Sequence, residues 1–289
     1  MRPTLVGILL AAGVALTCAS AEVHDPAVER PSFLVIVADD LGYSDLGAYG
    51  GEIPTPNLDA LAISGLRATD FYVSCRGAPS RAMLLTGVDN HVAGFGVSDG
   101  RHPEPIQKGQ PGYEGRLSER VVTVASLLRD AGYHTSMAGK WALGEEPGNL
   151  PRARGFERSF VLHDAAASHW QDMRSAVPRR PRARYTRDGA DVESLPAGYF
   201  STRFFTDFVL ESIAEARAAG RPFFSYLSFQ APHGPLADDE RVSFSGRYDE
   251  GFDAIRNARL LRMKTLGLLD QSVQPYPGIP TVPSWSDLS

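Results

Sequence analysis

Six consecutive apolar residues, Phe33 to Ala38 (FLVIVA), run directly into a pair of carboxylates, Asp39 and Asp40. A strand with one face in water alternates apolar and polar residues. An unbroken apolar run instead reads as a parallel strand buried on both faces. Parallel neighbours need long crossovers, usually helices, and the chain supplies several. Thr55 reads as an N-cap with Pro56 in the first helical turn, and Gly65 ends that helix. Pro79 to Thr86 reads as a short helix closed by Gly87. Thr123 to Ala131 is amphipathic, with Val124, Leu127, Leu128 and Ala131 on one face and Gly132 as its stop. Thr135 to Lys140 then reads as a strand. Thr202 to Ala218 reads as a helix with an apolar face of Phe204, Phe205, Phe208, Val209 and Ile213. Gly220 and Pro222 break it, and Phe223 to Phe229 follows as a strand. Residues 145–200, rich in Pro, Arg and Asp, read as an insertion of short strands and loops. This alternation predicts an α/β fold: a largely parallel mixed sheet with helices on both faces.

In such sheets functional groups gather at the carboxyl ends of the strands. Three candidates fall there: the Asp39/Asp40 pair, Lys140 and His233. Two adjacent carboxylates at a buried strand end are costly unless a cation neutralises them. Arg81, near the start of its helix, offers a cation beside a helix N-terminus, a favourable place for an anion.

The chain has 289 residues, enough for one large domain or two small ones, and a net charge of −5 that argues against a nucleic-acid partner. The Arg-rich run Pro178 to Arg187 reads as a solvated loop. At the N-terminus, Arg2, the apolar stretch Leu5 to Leu16 and Ala19-Ser20-Ala21 form an export signal, residues 1–21. Residues 22–31 read as a linker, and the mature chain is expected in a periplasmic or extracellular space. A weaker alternative is a lipoprotein acylated at Cys18. No other membrane segment is legible. Of the two cysteines, Cys18 leaves with the signal and Cys75 remains alone, which excludes an intrachain disulfide framework.

The segment Phe71 to Gly96 resembles the nucleophile segment of the sulfatase family (arylsulfatase type), in the alkaline phosphatase superfamily. The family pattern is C-x-P-S/T-R-x-x-L-L-T-G, and Pro79, Ser80, Arg81, Leu84, Leu85, Thr86 and Gly87 match it. VADDLGYSDLGAYGG resembles the family's N-terminal signature. A-G-K-W-A-L-G around Lys140 and A-P-H-G-P around His233 resemble two further motifs. The resemblance implies hydrolysis of sulfate esters by a formylglycine made from Cys. It implies Ca²⁺ bound through Asp39 and Asp40, sulfate held by Lys140 and steadied by Arg81, and His233 near the leaving-group oxygen. The implied partner is a small sulfate ester or another oxyanion.

Three departures qualify that expectation. The nucleophile position is Gly77, which has no side chain to oxidise. The family's G-K-W-H-L-G has Ala142 in place of His, and His134 lies too early to replace it. The family also continues well past Ser289, through an Asp-Asn pair that completes the metal site. Residues 32–289 therefore read as the N-terminal portion of a catalytic domain, incomplete, with the C-terminal part missing and apolar surface exposed. The chain is expected to be impaired in turnover. The alternative is a catalytically dead relative that binds an anion or a partner, or a truncated relic. Two further alternatives stay open: an alignment with Cys75 as nucleophile, and Gly77 as a misread residue. A phosphoesterase of the same superfamily meets the same objection at Gly77.

Overall fold

The computed structural model describes residues 30–97, 104–177, 180–236 and 244–288. All the elements below belong to the unit Ser32–Ser289. The signal segment, Cys18 and most of the linker lie outside the described residues, as do Pro178 and Arg179 of the Arg-rich run.

One mixed sheet of six strands organises this unit. The strands are β1 (Phe33–Asp39), β2 (His134–Lys140), β3 (Arg158–Leu162), β4 (Tyr185–Arg187), β5 (Ala190–Asp191) and β6 (Phe223–Pro232). Across the sheet they run β1-β6-β2-β3-β4-β5. The pairs β1/β6, β6/β2 and β2/β3 are parallel, and β4 and β5 add antiparallel pairs at the far side. The helices are α1 (Pro56–Ser64), α2 (Gly77–Thr86), α3 (Val124–Asp130), α4 (Ser201–Ala218) and α5 (Gly251–Thr265).

Successive strand side chains point to opposite faces, and here each face has its own core. Ala78, Ala82 and Leu85 of α2 and Ala125 of α3 pack with Met137, Val161, Phe224 and Tyr226. Phe205, Phe208 and Val209 of α4 pack with Ala138, Phe160, Leu162 and Leu227 on the other face. Helices thus cover both faces, as the alternation predicts. Close contact between β2 and β6 depends on Gly139, whose φ is 109°. A Cβ there would lie 1.8 Å from the Ser228 carbonyl oxygen.

Several expectations are corrected. β1 is the edge strand among the described residues, not a strand covered on both faces. Val35 and Val37 pack on the α2/α3 side, whereas Leu34 and Ile36 are exposed at 48% and 50%. Helix α4 lies over β6, β2 and β3, and no described element covers that face of β1. Residues 145–200 are not a pure insertion, because β3 within them joins the parallel sheet beside β2. Helix α2 begins at Gly77, two residues before Pro79. Thr55 makes no side-chain cap to α1. Its hydroxyl accepts from Gly47 N–H at 2.9 Å and donates to Asp59 at 2.9 Å, so it ties α1 to the preceding loop. Thr123 does cap α3, accepting from Ser126 N–H at 3.1 Å.

Candidate functional site

The parallel register sets the carboxyl edge of the sheet. Asp39 of β1 lies opposite Pro232 of β6, and Lys140 of β2 lies opposite Leu162 of β3. His233 follows β6 directly. The first residue of α2, Gly77, comes against Asp39 at this edge, with Arg81 one turn further along.

Three charges meet below the surface. Lys140 Nζ donates to Asp39 Oδ2 at 2.5 Å. Arg81 Nη2 lies 3.3 Å from Asp39 Oδ1. Arg81 Nε donates to Ser228 Oγ at 3.1 Å. Asp39, Arg81 and Lys140 are 4%, 3% and 5% exposed. Two buried cations therefore face one carboxylate, and Arg81 Nη2 has no hydrogen-bond partner among the described residues. A buried donor left unpaired is costly, so this end of the guanidinium is set up for an added acceptor.

Gly77 explains how Arg81 comes to lie there. A Cβ built on Gly77 would stand 2.6 Å from Arg81 Nη1 and 3.4 Å from Asp39 Oδ1. The guanidinium thus borders the space where any side chain at residue 77 would begin. Cys75, in the loop before α2, is an exposed free thiol.

Asp40 and His233 form a separate, more exposed pair, with His233 Nε2 3.7 Å from Asp40 Oδ2. A left-handed backbone at Asp40, φ 65°, turns it away from Asp39. His233 Nδ1–H donates to its neighbour's carbonyl, Gly234 O, at 2.6 Å, which leaves Nε2 toward Asp40. The expected residues therefore divide into two groups: Gly77, Arg81, Lys140 and Asp39 in one, Asp40 and His233 in the other. Ser228, the partner of Arg81, had no signal in the sequence, being one serine in a strand. His134 opens β2 at the opposite end of the sheet, where Nε2 pairs with Ser212 Oγ at 2.9 Å. Ala142 is buried in the α2/α3 core.

Ca²⁺ takes six to eight oxygen ligands. Among the described residues no group of three His, Cys, Asp or Glu side chains is placed to hold a metal. Asp39 is also already engaged by two cations. These residues do not build a calcium site by themselves.

A neighbouring polar group lies just past β3. His163 is 4% exposed, and its Nε2 pairs with Thr186 Oγ1 at 2.9 Å. Burial, reinforced by the Arg184 guanidinium, pushes its pKa down from 6.5 to about 4, while Glu145 and Asp191 oppose the shift. The folded chain therefore holds this imidazole neutral. Stability is fully present above pH 6.5 and is lost as pH falls toward 4, because the unfolded chain takes up the proton first. The shift corresponds to about 3 kcal/mol. Between these pH values His163→Gln should flatten the fall in urea midpoint by a comparable amount. An unchanged slope would show that His163 is not the group responsible.

Comparison with known proteins settles the family. The sulfatase profile matches residues 31–275. The chain belongs to the sulfatase family. An arylsulfatase of Klebsiella aerogenes is 41% identical over 286 residues, covering 97% of this chain and 60% of the relative. An uncharacterized sulfatase of Schizosaccharomyces pombe is 40% identical over 273 residues, covering 90% of this chain and 49% of the relative. The sulfatase chain thus spans about half to three-fifths of the length of these relatives. Among solved structures, Ps i-CgsB aligns with a TM-score of 0.65 at 26% identity, over 83% of this chain and 54% of that one. Its complex with k-i-k-neocarrahexaose aligns at 0.64. No described helix is long and apolar enough to cross a membrane.

Proposed function

We propose that this sulfatase chain holds a sulfate ester, or a related oxyanion, at the carboxyl edge of β1, β6 and β2 without turning it over by nucleophilic attack from residue 77. The observation that carries this reading is the buried Asp39–Arg81–Lys140 cluster. It holds one more cation than carboxylates, and Arg81 Nη2 has an ion pair with Asp39 but no hydrogen-bond acceptor among the described residues. A sulfate oxygen accepting from Arg81 and Lys140 would balance that charge by charge-assisted hydrogen bonds.

His233 directly follows β6, the strand between β1 and β2, and pairs with Asp40. In this reading it would give a proton to a departing alkoxide or phenoxide. Gly77 offers no atom for nucleophilic catalysis, so binding and turnover come apart in this chain. Calcium binding through Asp39 and Asp40 would need oxygen donors beyond these two carboxylates, and no step above depends on the ion. The exported location and the division into signal, linker and N-terminal catalytic portion belong to the same proposal. A solved neighbour in complex with its substrate D-glucosamine-2-N,6-O-disulfate supports a small organic ester as the occupant.

Titration calorimetry of the whole chain with sodium sulfate tests the anion reading. Saturable binding is expected, and Arg81→Ala should weaken it about tenfold to a hundredfold, the worth of a hydrogen bond to a charged group. Absence of sulfate binding, or binding indifferent to Arg81, would sink the proposal.

A further inference from the structure

Two residues past His233, Pro235 helps to line a concavity of ≈ 240 Å³, together with Ser168, His169, Trp170, Arg174 and Ser175, among others. Sheet order fixes its place. The segment that follows β3 forms one wall, and the residues that follow His233 form the other. Both leave the carboxyl edge of the sheet. Asp40 pairs with His233 from the end of β1, whereas the cavity draws its residues from the segments after β3 and after His233.

The walls are tied to the sheet. Gln230 of β6, 1% exposed, grips Ala167 through both backbone groups, accepting from its N–H at 2.8 Å and donating to its carbonyl at 2.7 Å. His169 Nδ1 pairs with Ser201 Oγ at 2.6 Å. This bond ties His169 to the start of α4. Phe200 backs Trp170 with centroids 4.9 Å apart, while 44% of Trp170 stays exposed. Arg174 has a side chain 77% exposed and, among the described residues, a 3.9 Å ion pair with Asp172. The cavity thus offers one flat aromatic surface, held from behind, with a guanidinium and serine hydroxyls around it.

We propose that this cavity takes the organic part of the ester: a single ring lies against Trp170, and an acidic substituent on that ring faces Arg174. These two side chains would then decide which esters the chain accepts. The proposal rests on the reading of Arg81 and Lys140 as the sulfate-holding pair. An indole held from behind favours a ring over a flexible chain, because a stacked ring loses little conformational freedom. The volume leaves room for about one ring. Aromatic and sugar rings share this chemistry.

The test is titration of the whole chain, followed by calorimetry and tryptophan fluorescence. The probes are inorganic sulfate, 4-nitrophenyl sulfate, a monosulfated glucosamine and a disulfated glucosamine. Ring esters should bind about tenfold tighter than inorganic sulfate. Trp170→Ala should remove that advantage and leave inorganic sulfate unchanged, whereas Trp170→Phe keeps most of it. Arg174→Gln should cost only the preference for the second sulfate. The tighter of the aromatic and sugar probes identifies the ring class. Sulfate binding with no ring advantage, or an advantage indifferent to Trp170, overturns the cavity proposal and leaves the anion reading standing. Ring esters that bind through Trp170 while inorganic sulfate does not bind support the cavity and remove the anion reading. If no probe binds, both fall.

Discussion

Asp39→Ala is expected to destabilise the chain by about 3–5 kcal/mol, the range for breaking a buried ion pair by removing one partner. Asp39 is the carboxylate that both Lys140 and Arg81 contact, and all three are almost wholly buried. Without it, two cations face each other in a region of low dielectric. Lys140→Met should cost less than half as much, since Arg81 stays paired with Asp39 at 3.3 Å and the methionine fills most of the lysine's volume. Combining the two substitutions should give back part of the Asp39→Ala loss, because the second removes one of the stranded charges. Such a positive coupling is expected only of groups in contact. Urea unfolding at pH 7 supplies the comparison, read as a shift in midpoint at constant slope. A loss under about 1 kcal/mol for Asp39→Ala would mean that the three charges are solvated in solution and do not form a buried cluster.

Much of this architecture is legible in local patterning. The apolar face of α4 from Phe204 to Ile213 packs where its spacing says, and Gly65, Gly87 and Gly132 close helices where expected. Position within the sheet is harder to read. The run FLVIVA fixes a strand but not its neighbours, and burial depends on what lies over each face. Val35 and Val37 gain a helical cover, while Leu34 and Ile36 do not. β3 is hidden for a different reason. It is five residues long and opens with Arg158 and Ser159, inside a stretch whose Pro and Arg content reads as loop. Its pairing with β2 is a long-range contact that no local pattern encodes.

The candidate site was legible through motifs and much less through periodicity. Asp39, Arg81 and Lys140 come from three segments, and their meeting depends on β6 entering between β1 and β2. The sequence gives no hint of Ser228, which anchors Arg81 Nε, or of the close strand approach that Gly139 permits. It also treats Asp39 and Asp40 as one pair. The left-handed turn at Asp40 separates them, so that Asp39 joins the buried cations and Asp40 joins His233.

On 4-nitrophenyl sulfate, the chain is expected to turn over about a million-fold more slowly than a sulfatase with its nucleophile in place, the scale seen when a hydrolase loses that group. The Klebsiella aerogenes arylsulfatase is a suitable reference, with nitrophenolate release as the readout. Gly77→Cys alone should not restore the rate. The new Cβ would meet Arg81 Nη1 at 2.6 Å, so the guanidinium has to swing aside. It is the free end of a flexible side chain, so the fold can accommodate the change. The movement, however, puts at risk the contacts with Asp39 and Ser228 that place the cation. Sulfate affinity and turnover should then respond separately: Gly77→Cys shifts binding through Arg81, while Arg81→Ala weakens binding without touching position 77. Turnover by the unaltered chain within about a hundredfold of the reference would require a nucleophile other than residue 77. The exposed thiol of Cys75 is then the first group to replace, and loss of that turnover in Cys75→Ser would identify it.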